Sequence, residues 1–141
     1  MKFPPILLII AIAFVILPTS VTKTAEPAKP ILVDVQRIWD KAPHNAFTDL
    51  IRHKDLWYCV FREGSGHVSP DGSLRVITSV DGKQWASKAL ISSATHDLRD
   101  AKITVTPQGK LLLNGAGMIA DAKIRYQSMS WLSSNDGATW D

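Results

Sequence analysis

From residue 44 onward the apolar residues of this chain come in short runs, β-branched or aromatic, broken by turn residues about every ten positions. Little of the pattern has helical spacing, and it reads as an all-β chain. It predicts strands near residues 46–52, 56–62, 73–79 and 86–92, then near 101–106, 110–114 and 126–133. Turns are expected at Lys54-Asp55, Pro70-Asp71-Gly72, Asp81-Gly82, Pro107-Gln108-Gly109 and Asp136-Gly137. Asp-Gly between alternating strands is a strong hairpin signal, because glycine supplies the positive φ without steric cost.

Residues 1–30 follow another pattern. Lys2 precedes an unbroken apolar run from residue 6 to residue 17, and Pro18-Thr19-Ser20 ends it ahead of a polar stretch. That order predicts a signal peptide and polar linker, and hence a secreted or periplasmic protein. An uncleaved anchor is the alternative, although the run is shorter than the roughly 20 residues that span a bilayer as a helix. Beyond this segment no membrane association is expected.

The strand pattern repeats. Thr78-Ser-Val-Asp-Gly-Lys-Gln-Trp85 and Ser133-Ser-Asn-Asp-Gly-Ala-Thr-Trp140 both read hydroxyl, two residues, Asp-Gly, two residues and Trp, with aspartates 55 residues apart. Upstream, Asp49 and Asp100 each open a strand, and Gly64 and Gly115 follow them at equal spacing. Two units result, about 46–95 and 97–141 within a domain of 31–141, each the size of one four-stranded propeller blade. A closed propeller has at least four blades, so the chain is expected to be an incomplete one.

Charge and cysteine content narrow the function classes. The net charge is +3, with basic residues scattered rather than clustered, so no nucleic-acid partner is expected. The single Cys59 forms no internal disulfide and lies in an apolar run, as a core residue would. The four histidines show no ligand spacing, so no metal and no cofactor are expected.

The Ser/Thr-x-x-Asp-Gly-x-x-Trp segments resemble the Asp box (BNR repeat) of the sialidase, or neuraminidase, superfamily. Together with Phe61-Arg-Glu-Gly64 and Asp97-Leu-Arg-Asp100 they make the chain similar to the first two blades of a bacterial exo-alpha-sialidase-like protein. The resemblance implies a six-bladed β-propeller when complete, and a glycoside hydrolase acting on terminal sialic acid or a related glycoside. It assigns Thr78, Asp81, Gly82, Trp85, Ser133, Asp136, Gly137 and Trp140 to structural boxes on the face away from the active site. Members of the family hold the sugar carboxylate with three arginines, whose planar forks match that anion. They cleave with a Tyr–Glu pair and an Asp acid/base. The first of those arginines has no counterpart in His44-Asn-Ala-Phe-Thr-Asp49, and neither Tyr58 nor Tyr126 reads as the nucleophile; both read as packing.

On the functional face the expected catalytic candidates are Asp49, Arg62, Glu63, Arg99 and Asp100, with His67 a candidate for substrate binding. Arg62 and Glu63 stand for either a site or a structural ion pair. Arg99-Asp100 also resembles the Arg-Asp-Pro motif of five-bladed fructosidase and arabinanase-type glycosidases, with Ala101 in place of Pro. The expected partner is a glycan or glycoconjugate. A non-catalytic carbohydrate- or protein-binding scaffold, or a nonfunctional remnant, stands as the alternative.

Overall fold

The structure, a computed structural model, describes residues 28–119 and 125–141. The chain divides into two units, Met1–Val33 and Asp34–Asp141. In the first, the described residues 28–33 carry neither helix nor strand. The leader read from residues 1–30 therefore lies almost wholly outside the described residues.

The second unit is all-β and consists of two antiparallel meanders. The first sheet runs β1 (His44–His53), β2 (Leu56–Gly64), β3 (Ser73–Ser79) and β4 (Ala86–Ile91), in that spatial order. The second runs β5 (Asp97–Val105), β6 (Leu111–Met118) and β7 (Tyr126–Ser133). Among the described residues there is no helix, and so none long and apolar enough to cross a membrane. After Trp140 the chain returns to β7, where Asp141 and Leu132 exchange both backbone hydrogen bonds (2.8 and 3.0 Å).

Alternation in the strands builds the core. Tyr58 and Val60 of β2 and Leu74 and Val76 of β3 share one face of the first sheet. They pack on Leu98, Ala101 and Ile103 of β5 and Leu111 and Leu113 of β6, all nearly inaccessible to solvent. The opposite face of the first sheet carries Cys59, Phe61 and Ile77, covered by Ile38 and Trp39 from the leading segment and by Trp85. Burial pushes the Cys59 thiol up to about 11, with the charge of Asp49 adding to the effect. That fits its reading as a core residue.

Two strands differ from expectation. β5 begins four residues before the predicted start, because Asp97 and Arg99 are strand residues rather than loop. β6 runs on to Met118, through Gly115 and Gly117, which a sequence reading takes as breakers. Both glycines admit close neighbours. A Cβ at Gly115 would stand 2.9 Å from the Arg99 carbonyl and 3.1 Å from Leu74 Cδ1, and one at Gly117 would strike Met129 and His96.

The sheets are joined by polar links as well as by the core. The Leu98 N–H donates to the Gly72 carbonyl (2.9 Å), and the Ile103 N–H donates to Asp49 Oδ2 (3.0 Å). Between these lies Arg62 of β2, fully buried beside Asp97 of β5 (Nη2 to Oδ1, 2.9 Å). Gly72 makes room for this pair: a Cβ there would lie 1.9 Å from Asp97 Oδ1 and 2.6 Å from Arg62 Nε.

Gly72→Ala should therefore break the pair and destabilise the chain by about 3–5 kcal/mol, the cost of uncoupling a buried ion pair. Denaturant melting of the variant tests this, and an unchanged midpoint would refute it. With its thiol near 11, Cys59 should carry about one thiolate in a thousand molecules at pH 8. A disulfide reagent should consequently label it only at the rate at which the chain opens.

Candidate functional site

Antiparallel pairing gives the sheets two distinct ends. His44, Gly64, Ser73, Ile91, Asp97, Met118 and Tyr126 lie at one end. The 53–56 turn, the 79–86 turn and the 133–140 turn lie at the other.

The two Trp-bearing turns share one hydrogen-bonding scheme, with a register that differs from the predicted one. In the first, Ser79 Oγ accepts from the Gly82 N–H (2.9 Å), and Asp81 Oδ1 accepts from the Ser79 hydroxyl and from the N–H groups of Lys83 and Gln84. In the second, Ser133 Oγ accepts from the Gly137 N–H (2.9 Å), and Asn135 Oδ1 accepts from the Ser133 hydroxyl and the Thr139 N–H. Each indole N–H closes on its own glycine carbonyl, Trp85 on Gly82 and Trp140 on Gly137. Equivalent positions are thus Ser79 and Ser133, Asp81 and Asn135.

Thr78 instead sits inside β3, paired with Tyr58 and Ala86. Asp136 binds Lys54 Nζ (2.6 Å) and lies 3.8 Å from His53. The first turn is one residue shorter, which shifts the fixed-spacing match off its true partners. Lys54, more than any other cause, holds the Asp136 carboxyl below its usual range. Tyr58 donates its hydroxyl to the Asp136 carbonyl (3.2 Å), and burial raises its pKa.

At the opposite end the charged residues sort themselves by strand alternation. Arg62 turns into the space between the sheets. Its Nε and Nη2 donate to Asp97 Oδ1 (3.2 and 2.9 Å), Nη1 to the Gly66 carbonyl (2.8 Å), and Nη2 also to Ser69. The second Asp97 oxygen accepts from Arg99 Nε (2.6 Å). Arg99 Nη2, also buried, lies 2.5 Å from the same oxygen. One buried carboxylate thus orients two guanidinium groups, and Arg99 is the one that reaches solvent, at 16% side-chain exposure.

Glu63, the next residue, turns to the other face of the sheet. Arg75 grips it through Nε (2.9 Å) and Nη2 (2.6 Å), while Trp39 donates its indole N–H (3.3 Å). The Arg75 guanidinium lies 5.3 Å from the Trp39 ring centroid. Both members of the Arg62–Glu63 pair are therefore engaged in internal ion pairs, on opposite faces, and do not meet in one site. Asp49 is likewise occupied by its bonds to backbone amides of Ile103 and Leu50.

His67, in the β2–β3 loop, lies 5.3 Å edge-on from His44 and 5.6 Å from the Phe47 ring. Phe47 stands in a bulge of β1 at φ 60°, and Asp100 in a bulge of β5 at φ 55°. Both are uncommon conformations for residues other than glycine. The bulges fall at matching places, between Ala46 and Asp49 and between Arg99 and Lys102. Phe47 is hence the counterpart of Asp100, and Asp49 that of Lys102. In the second strands the Arg62–Ala46 and Ala116–Arg99 pairings make Gly64 the counterpart of Met118, not of Gly115. The equal spacing of aspartate and glycine in the two units is not structural equivalence.

Tyr126, read as a packing residue, opens β7 at this same end and is 59% exposed. Asp97, Arg75, Ser69 and Trp39 are polar partners that the sequence reading left out. Asp97 and Arg99 are two apart on one strand, and so share a face, which is the signal that could have found the first. Among the described residues no group of three or more His, Cys, Asp or Glu is placed to hold a metal ion. A mostly apolar recess of about 100 Å³ is lined by Ile38, Trp39, Asn45, Thr48, Cys59 and Phe61, and its thiol is protonated.

No protein-family model matches this chain, and no curated protein matches it. Among solved structures it resembles a crystal structure of a protein of unknown function from Dyadobacter fermentans DSM 18053, with 20% identity and a TM-score of 0.60. The match covers 70% of this chain and 35% of that one, so it spans about a third of the neighbour's length. The likeness is one of fold.

A pH prediction follows from the first turn. The amides of Gln84 and Lys83 hold the Asp81 carboxyl below its ordinary 3.8, with Ser79 assisting. A depressed carboxyl stabilises the fold above its unfolded value, and this contribution is lost as pH falls through the folded value. On acidification the Trp85 indole N–H resonance should shift with that loss. In Asp81→Asn, which installs the neutral acceptor used at Asn135, the shift should vanish while the turn persists.

Proposed function

We propose that this chain is part of an exported, sialidase-like glycoside hydrolase built as a β-propeller, with its reactive end where β1 and β5 begin. One observation carries the reading: the two Ser/Trp turns occupy one end of both sheets, and the solvent-reaching Arg99, Asp100, His44 and His67 gather at the other. That is the separation of Asp boxes from active site which the sialidase resemblance implies. The structural neighbour shares the fold of these sheets over 35% of its own length.

In this reading Arg99 receives the sugar carboxylate. Its guanidinium is braced by Asp97, which faces both Nε and the buried Nη2, and the side chain reaches solvent at 16% exposure. Asp97 itself, with both oxygens on arginines, is a positioning residue. Asp100 is exposed and serves as acid/base at the glycosidic oxygen, with His67 beside the leaving group. Tyr58 is excluded as nucleophile, since its hydroxyl is committed at the far end of the sheets.

A second reading has its own observation. Arg62 and Glu63 are consumed by internal ion pairs, and no arginine stands at the start of β1, so the same end can serve a non-catalytic glycan-binding scaffold.

Fluorogenic aryl α-sialosides and neutral aryl glycosides decide between them. Turnover that falls at least about a hundredfold in Asp100→Asn, with an unchanged melting curve, supports the hydrolase. Binding without turnover supports the scaffold, and neither binding nor turnover refutes both.

A further inference from the structure

The bulge of β1 recurs at the matching place in β5, but in β1 it presents a bulky apolar side chain. Phe47 is bulky, holds φ at 60°, and leaves 46% of its surface exposed. A glycine would relieve the backbone, and an apolar side chain gains little from a half-exposed place. Strain of this kind persists where the surroundings impose it, commonly at ligand sites.

The surroundings are aromatic. His67 approaches the Phe47 ring at 5.6 Å, and His44 meets His67 edge-on at 5.3 Å. His44 Nδ1 is buried and lacks a hydrogen-bond partner, which leaves one polar group of this cluster unsatisfied. Three rings thus stand together at the reactive end, next to the Gly66 carbonyl that anchors Arg62.

The neighbouring strand completes the arrangement. β1 and β5 both start at this end, and Asp49 of β1 lies abreast of Ile103 of β5 through the 3.0 Å bond to its amide. Two residues earlier on the two strands stand Phe47 and Ala101, so the Asp100 bulge is one residue from level with the Phe47 bulge. An exposed aromatic ring and an exposed carboxylate thus stand on neighbouring strands, at positions that match in the two sheets.

We propose that Phe47, His67 and Asp100 form one sugar subsite: the Phe47 and His67 rings take the apolar face of a pyranose, and Asp100 stands at its glycosidic edge. Ring stacking supplies area, and a few fixed polar groups supply orientation, as in small-ligand sites generally. The inference rests on the glycan reading above but does not require hydrolysis.

The test is titration of the full chain with the methyl α-glycoside of N-acetylneuraminic acid and with methyl β-galactoside, followed by ligand-observed NMR. Phe47→Gly is the decisive variant. It should raise the melting temperature by relieving the bulge and weaken sugar binding about tenfold or more. Asp100→Asn should weaken binding in the same sugar, and His67→Ala should do so without lowering the melting temperature. Binding that survives Phe47→Gly overturns the subsite while leaving the glycan reading intact. A lowered melting temperature with unchanged affinity likewise overturns it, as it would make Phe47 a packing residue. Failure of both sugars to bind the unsubstituted chain overturns the subsite and the glycan reading together.

Discussion

The buried contact between Arg62 and Asp97 is the interaction on which the rest of the second unit depends. It joins the second strand of one sheet to the first strand of the next, deep in the apolar layer between them. Two charges removed from water this completely are tolerated only when their remaining hydrogen-bonding capacity is met. Here the Gly66 carbonyl, Ser69 and Arg99 meet it, so the β2–β3 loop is shaped around the pair. The ring of partners also fixes the position of Arg99, the one guanidinium of the three-residue chain that faces outward.

Much of the architecture is legible in the sequence, because strand alternation and Asp-Gly turns are local signals. β2, β3 and β7 fall where their apolar runs and turn residues place them. The starts of β5 and the end of β6 are not legible, since charged residues at 97–100 and glycines at 115 and 117 read locally as loop. Contacts distant in sequence give them strand character: Asp97 is paired with Arg62 of the other sheet, Gly115 makes room for Leu74, and Gly117 for Met129 and His96. The repeat is legible in outline but not in register. Its two turns differ by one residue, and one uses Asn135 where the other uses Asp81, which spacing alone cannot align.

Site residues divide along the same line. Arg62, Glu63 and Asp49 are unusual in strands, and the sequence marks them as such, yet whether a charge faces a ligand or another charge depends on partners far away in sequence. Asp49 proves to hold an amide 54 residues on, and Glu63 an arginine on the adjacent strand. Asp100, Arg99 and His67 keep groups open to solvent, and it is these that the glycan reading uses. The bulges that present Phe47 and Asp100 leave no sequence signature, because neither residue is one that favours positive φ enough to announce it.

The tight fit of Gly72 against the ion pair has a consequence for how this sequence can drift. Losing Asp97 alone would leave two guanidinium groups facing each other without a counter-charge, and losing Arg62 alone would strand a carboxylate. Enlarging residue 72 would displace both. Loss of any one of the three thus strands or displaces a buried charge, so changes at these positions are expected to be coupled. Coupling of that kind slows drift at this corner of the fold relative to the exposed strands around it.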